Sequence, residues 1–316
     1  MWVGNYARRL SGERSQLMIN QRRNRFSLVA GILLFPWLAY AESLTLGFIS
    51  SSPMEESRRF SPLASYLARQ LQSEGIGKGN VVAANSIEAM SSLLRTSHVD
   101  IYIDGFFPAM AVSRLSGSKL LLRRWKNGGS DYKSVILTRK DSRIAILEHL
   151  GGKVIAFDEP FSSFGYFVPR VELLKIAFLV LSDRPGAGPV KGDEVRYVFS
   201  RGDTNTIYMV ANGKVAAGAV DDQKYHALAK NLDGLKILHE TASFLRQIVS
   251  HRADFPVKLL TKVNNVLLNM PRTAEGRKVL REFDNTAKFD EIPAPVHDLM
   301  MGLKKYVEAE LKPQSS

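Results

Sequence analysis

Two adjacent hydroxyls, Ser162 and Ser163, are followed by Phe164 and Gly165. They come just after a short apolar run, 154–157, that Asp158, Glu159 and Pro160 bring to a stop. Such a run reads as a buried parallel strand, and the residues beyond the break read as a helix start. At that junction serine oxygens can cap the helix, its unpaired first amides and its dipole favour an anion, and glycine allows close backbone approach. The chemistry this offers is capture of a phosphate-like group; the ordinary alternative is that one serine is only a helix cap. Six other positions carry usable groups. Tyr132 follows the flexible stretch 126–130 and can donate a phenolic hydrogen. Arg246 can hold an oxyanion through two parallel bonds, or sit solvated. Asp203 and Thr204 open a helix, with Thr204 as a candidate hydroxyl contact. Asp104 and Asp221 end strands. A carboxylate repels an oxyanion unless a proton or donor lies between them, so each either holds a ligand amine or hydroxyl or serves as a cap.

Composition removes several other chemistries. The 316 residues include no Cys, which excludes disulfides, thiolate catalysis, Cys-based metal sites and a lipid-modified Cys. The six His stand far apart, so spacing supports no metal site. No nucleophile–base pair or nucleotide loop is present, which argues against an enzyme and against a resident cofactor. The net charge is +12, but residues 1–41 hold six Arg against one Glu, a surplus of five that leaves +7 for the rest. Those later cations are scattered among apolar segments without a nucleic-acid-binding pattern, so no nucleic-acid partner is expected. The Arg123-Arg124-Trp125 cluster reads as a strand edge.

The elements that must position these groups follow from the hydrophobic pattern. Residues 1–41 read as a cleavable signal peptide: arginines, an uncharged stretch too short to span a membrane comfortably, and small residues at Ala39 and Ala41. The mature chain would then work in the periplasm. Residues 44–49, 81–84 and 99–103 read as strands, with intervening helices begun by Pro62 and capped by Ser86. This βαβαβ order predicts a parallel sheet with ligand-facing loops at the carboxyl ends of its strands: 50–52, 85–86 and 104–107. A second series follows, with strands at 134–138, 154–157, 195–199 and 216–220, a helix running to about 181 and another over 204–212. Residues 235–238 and 248–250 read as strands returning to the first lobe, and helices near 257–268, 273–283 and 296–311 finish the chain.

Several segments, in order, resemble the periplasmic substrate-binding proteins of phosphonate, phosphite and phosphate ABC transporters. They include Leu46-Gly47-Phe48-Ile49, Phe60-Ser61-Pro62-Leu63-Ala64, Tyr132-Lys133-Ser134-Val135, Gly152 to Tyr166, Val210-Ala211-Asn212-Gly213 and Gly218-Ala219-Val220-Asp221. The resemblance covers nearly all of 43–290. It implies an α/β, type II periplasmic-binding-protein fold, two βαβ lobes joined by hinge strands around a cleft, with lobe I at 42–130 plus 235–316 and lobe II at 131–234. It also implies that Ser162, Ser163, Phe164 and Gly165 form the anion cradle, with Phe164 where the family has a hydroxyl, and that Tyr132 is a pocket aromatic. A tyrosine that the family has near Ser86 or Ile87 is absent, and Gly202 stands where the family has a histidine. The function implied is capture of a small anionic ligand by a monomer that hands it to an inner-membrane ABC permease. The alternative is a ligand sensor that signals occupancy to a membrane receptor kinase or cyclase.

Overall fold

The computed structural model describes residues 42–312, apart from 177, 183–187 and 230–231. The expected signal peptide at 1–41 lies outside the described residues. In chain order the strands and helices of the first part are β1 (Glu42–Ile49), α1 (Pro53–Gln70), β2 (Ile76–Ala84), α2 (Ile87–Arg95), β3 (Ile101–Gly105), α3 (Phe106–Ser116) and β4 (Lys119–Arg124). A short strand β5 (Asp131–Tyr132) leads to β6 (Ser134–Arg139), β7 (Lys153–Phe157), α4 (Val168–Lys175), β8 (Leu179–Ser182), β9 (Glu194–Phe199), α5 (Asp203–Ala211), β10 (Ala217–Asp221), α6 (Asp222–Ala229) and β11 (Leu235–Glu240). The chain returns through β12 (Phe244–Leu245) to β13 (Gln247–His251), α7 (Val257–Asn269), α8 (Ala274–Glu282), β14 (Phe289–Asp290), α9 (Ala294–Gly302) and α10 (Lys304–Glu310).

Two six-stranded sheets result, ordered β14-β4-β13-β3-β1-β2 and β11-β6-β10-β7-β9-β8. β1 is parallel to β2 and β3, and β7 is parallel to β9 and β10, as expected of βαβ units with helices on the sheet faces. The antiparallel pairings are those of β13 and β6, each the first strand laid down after the chain crosses between sheets, and that of the short edge strand β14 with β4. The crossings themselves pair: Phe244 lies opposite Tyr132 and Leu245 opposite Asp131 in a two-stranded ribbon. The carboxyl ends of the parallel strands in both sheets therefore meet at a common gap, the fold of a two-lobed binding protein.

The structure corrects several element readings. Pro53, not Pro62, takes the first turn of α1, and Pro62 lies inside the helix. The missing amide is tolerated because Phe60, Leu63, Ala64, Tyr66 and Leu67 bury one apolar face against the first sheet. The helix expected to reach about 181 stops at Lys175, and 179–182 joins β9 as an edge strand. A short apolar run fits either element, and pairing decides. Residues 235–238 do not return to the first lobe: β11 pairs antiparallel with β6 in the second sheet, and only β13 returns. Arg124 is not on a strand edge. Its strand lies between β14 and β13, and its side chain is fully buried.

Candidate functional site

The junction after β7 is built by one residue that cannot donate. Pro169 has no amide, so the carbonyl of Gly165 is released from the helix ladder and accepts the Asp158 N–H at 2.9 Å. The helix begins as one π turn, Ser163–Phe167, with Phe167 N–H bonded to Ser162 O. The amides of Ser163 and Phe164 precede that first intrahelical bond. The Ser162 hydroxyl caps the turn, accepting from Gly165 N–H at 3.1 Å, and hydrogen bonds Asp158. Ser163 Oγ accepts the Phe107 N–H at 3.1 Å, linking the start of α4's segment in the second lobe to the start of α3 in the first. Gly105 permits this: a methyl group there would stand 2.6 Å from Ser163 Oγ.

These residues line a cavity of about 420 Å³ between the sheets, together with Ser50, Asp104, Lys126, Tyr132, Asp203, Asp221 and Arg246. Of the candidates, Ser162, Ser163, Phe164, Gly165, Tyr132, Asp104, Asp221 and Arg246 are brought together, and Thr204 is not. Gly202, at φ 144°, turns the chain so that α5 starts at Asp203, which faces the cavity; Thr204, about 100° further round the helix, is exposed. Phe164 packs its ring near Phe106 and Tyr132, giving the cavity an aromatic side where a hydroxyl was expected from the resemblance.

The charges around the cavity fall into three sets. At the hinge, Arg246 N–H bonds to Ser130 O, its guanidinium donates to Lys126 O at 3.0 Å and lies 3.7 Å from the centre of the Tyr132 ring. The Tyr132 hydroxyl donates to Gln223, so the ring serves as a platform for Arg246. Among the described residues Arg246 makes no ion pair, and burial, helped by nearby Arg124, pushes its pKa down to about 9. In the first lobe, Asp284 accepts ion pairs from Arg124 and Lys126, each at 3.1 Å, and from Arg59 at 3.3 Å. Against the cost of burial, Lys126 and Arg124 hold its carboxyl below the usual range. In the second lobe stand Asp158, Asp203 and Asp221, none with an ion-pair partner among the described residues. Burial, with Glu159 and Asp221 adding to it, raises Asp158 to about 6 despite the Ser162 hydrogen bond. Burial, then Asp158 and Asp221, pushes Asp203 well above a normal carboxyl, and burial raises Asp221, whose Oδ1 caps α6 through the Lys224 N–H at 2.7 Å.

Asp104 belongs to a different class. Its carboxylate accepts from Ile49 N–H, Gly105 N–H and the Tyr102 hydroxyl, tying the ends of β1 and β3 together, and burial raises it to about 6. It shapes the rim with most of its acceptor sites already occupied. Sequence reasoning singled out neither Lys126, Asp284 nor Asp158 as cavity residues. Only the position of Asp158 at the end of an apolar strand signalled it, and for Asp284, held at φ 48° after α8, no sequence signal existed. No group of acidic or His residues among those described is arranged to hold a metal ion.

Residues 46–294 match the family described as ABC transporter, phosphonate, periplasmic substrate-binding protein. The chain belongs to that family. As a phosphonate-binding-family member it is a periplasmic substrate-binding protein, a class that binds its solute without transforming it. Among solved structures, XAC2383 from Xanthomonas citri bound to chloride ion superposes with a TM-score of 0.80 at 24% identity, over 85% of this chain and 98% of that one. The same protein bound to ATP gives 0.77 at 23%, again over 85% and 98%. PhnD1 from Prochlorococcus marinus in complex with methylphosphonate gives 0.63 at 18%, over 85% and 99%. These likenesses show the two-lobed fold. A comparison with curated proteins gives no match. Among the described residues no helix is long and apolar enough to cross a membrane.

Proposed function

We propose that this family member captures a small phosphonate-type oxyanion that also carries a cationic amine, closing two lobes over it and presenting it to an inner-membrane permease. The observation that carries the reading is Arg246. A half-buried guanidinium that lines the cavity and makes no ion pair among the described residues, with Asp284 acting on it only from a distance, is free to pair with an anion. The amides of Ser163 and Phe164 and the Ser163 hydroxyl supply further donors on the opposite lobe. Asp158, Asp203 and Asp221 face the same cavity and would repel a bare oxyanion, so they fit an ammonium group on the same ligand. The cavity is large enough for such a molecule, within the usual range of about 300–1,000 Å³ for ligand sites. That PhnD1 is named with methylphosphonate and XAC2383 with ATP is in keeping with a phosphorus oxyanion. Lobe II then spans 131–240, lobe I holds the remainder of the mature chain, and the β5–β12 ribbon with Arg246 beside it is the hinge. Residues 1–41 direct export and are removed, and the protein acts as a monomer.

Isothermal titration with aminoethylphosphonate, methylphosphonate, phosphate, sulfate and simple ammonium compounds tests this directly. The aminophosphonate should bind tightest. Arg246→Met should weaken it roughly tenfold to a hundredfold, as expected for loss of charge-assisted hydrogen bonds, while thermal unfolding stays in place. Undiminished affinity in that variant, or binding confined to compounds without an acidic oxyanion, would sink the proposal.

A further inference from the structure

Ser51 and Phe161 line not only the Arg246 cavity but also a second one beside it, of about 740 Å³. The first cavity uses the carboxyl ends of β1, β3, β7 and β10. The second uses the ends of the strands left over, Asn85 and Ser86 after β2, Phe199 and Arg201 at and after β9. One wall is a cluster of aromatic rings, the rest polar and charged side chains with a few aliphatic ones. Tyr166, Tyr197 and Phe199 stand with ring centres 5.1–5.6 Å apart in tilted and edge-on contacts, and Phe107 faces them from the first lobe. On its far side Glu310, at the end of α10, has a side chain 9% exposed, accepts the Tyr166 hydroxyl at 2.8 Å and ion-pairs with Arg170. Residues of both lobes thus line a space larger than the oxyanion pocket and adjoining it at Ser51 and Phe161. A methyl- or aminoethyl-sized tail leaves that space to water.

We infer that the second cavity is a subsite for an aromatic substituent on the bound oxyanion, so that the preferred solutes are aryl-bearing phosphonates or phosphate monoesters rather than the smallest members of the class. The inference rests on the proposed reading of the Arg246 pocket. The phosphorus group and amine stay among Arg246, the Ser163 turn and the second-lobe carboxylates. The flat substituent passes Phe161 and meets the faces and edges of Phe199 and Tyr197, the geometry in which aromatic pairs gain beyond the area they bury.

The phosphonic-acid analogues of alanine and phenylalanine differ by one phenyl group and make the decisive pair for titration calorimetry. The phenyl-bearing analogue should bind at least about tenfold tighter, equivalent to about 1.4 kcal/mol. Phe199→Ala should remove most of that preference and leave the affinity for the alanine analogue unchanged. Phe199→Leu, which keeps bulk but loses the ring, guards against a folding defect and should show an intermediate preference. Equal binding of the two analogues, or a phenyl preference that survives both substitutions, overturns the subsite while the oxyanion pocket stands. Failure of both analogues and of phosphate to bind overturns the pocket reading itself, and the subsite with it.

Discussion

Two clusters of buried charge face one gap in this protein and differ in a single respect. In the first lobe, the side chains of Arg124, Lys126 and Arg59 converge on Asp284, and Arg124 spends its remaining donors on Thr286, Gln247 and the Phe283 carbonyl. In the second lobe, Asp158, Asp203 and Asp221 crowd one another and, among the described residues, make no ion pair, with Lys224 and Lys126 acting on them only from a distance. A closed network of opposite charges holds structure, because each desolvated ion is compensated in place. A set of like charges with no ion-pair partner, opposite a guanidinium that also lacks one, leaves room for compensation by something that binds.

The comparison breaks most visibly at Arg124. Arg124→Met should cost about 3 kcal/mol or more, because it leaves a gap in a buried ion network and orphans its acceptors. Thermal and urea unfolding measure it. A variant of wild-type stability with lost ligand affinity would mean that the first-lobe cluster, too, is binding machinery.

A next, smaller effect is a divergence with pH. Asp158 and Asp104 have folded pKa values of about 6, above the ordinary carboxyl value. As pH rises through about 6 Asp158 ionises, so affinity for an aminophosphonate should rise by roughly tenfold between pH 5 and 8 while that for methylphosphonate fails to rise or falls. Parallel titrations at several pH values decide it, and matching slopes for the two compounds would remove the ammonium from the reading.

The same shifts predict the stability of the ligand-free protein. A carboxyl whose folded pKa is raised binds more protons folded than unfolded. Its stabilising contribution is therefore present below about 4 and lost as pH climbs through about 6. Asp158→Asn should leave stability near pH 5 little changed and raise it by about 1 kcal/mol at pH 8 relative to the parent. Smallest is Ser162→Ala, which removes a helix cap and should cost about 0.5–1 kcal/mol, with a modest loss of affinity through the freed Asp158. No loss of either kind would reduce Ser162 to a bystander.

Much of the fold was legible because its signals are local. The apolar runs at 44–49 and 154–157, the cap at Ser86 and the Pro–Gly punctuation report strand, helix and turn without reference to distant parts of the chain. The Ser162-Ser163 turn was legible for the same reason: a strand stop, two hydroxyls and a glycine sit within eight residues. Misreadings cluster where long-range pairing or helix phase decides. The run at 179–182 becomes a strand by pairing with β9, 235–240 stays in the second sheet by pairing with β6, and Thr204 points to solvent because the turn at Gly202 phases α5 on Asp203.

The chain by itself determined the order of elements, the two-lobed class and the strand ends at which a ligand would meet it, since hydrophobic periodicity and turn chemistry act over a few residues. Only the tertiary structure decided which charges have partners. Arg124 and Arg246 look alike in sequence, both near a flexible crossing. One is buried in an ion pair with an aspartate 160 positions away, and the other, half-buried, makes no ion pair among the described residues. Coulomb energy in a poorly solvated interior depends on distance in space, and the chain's own order does not encode that distance.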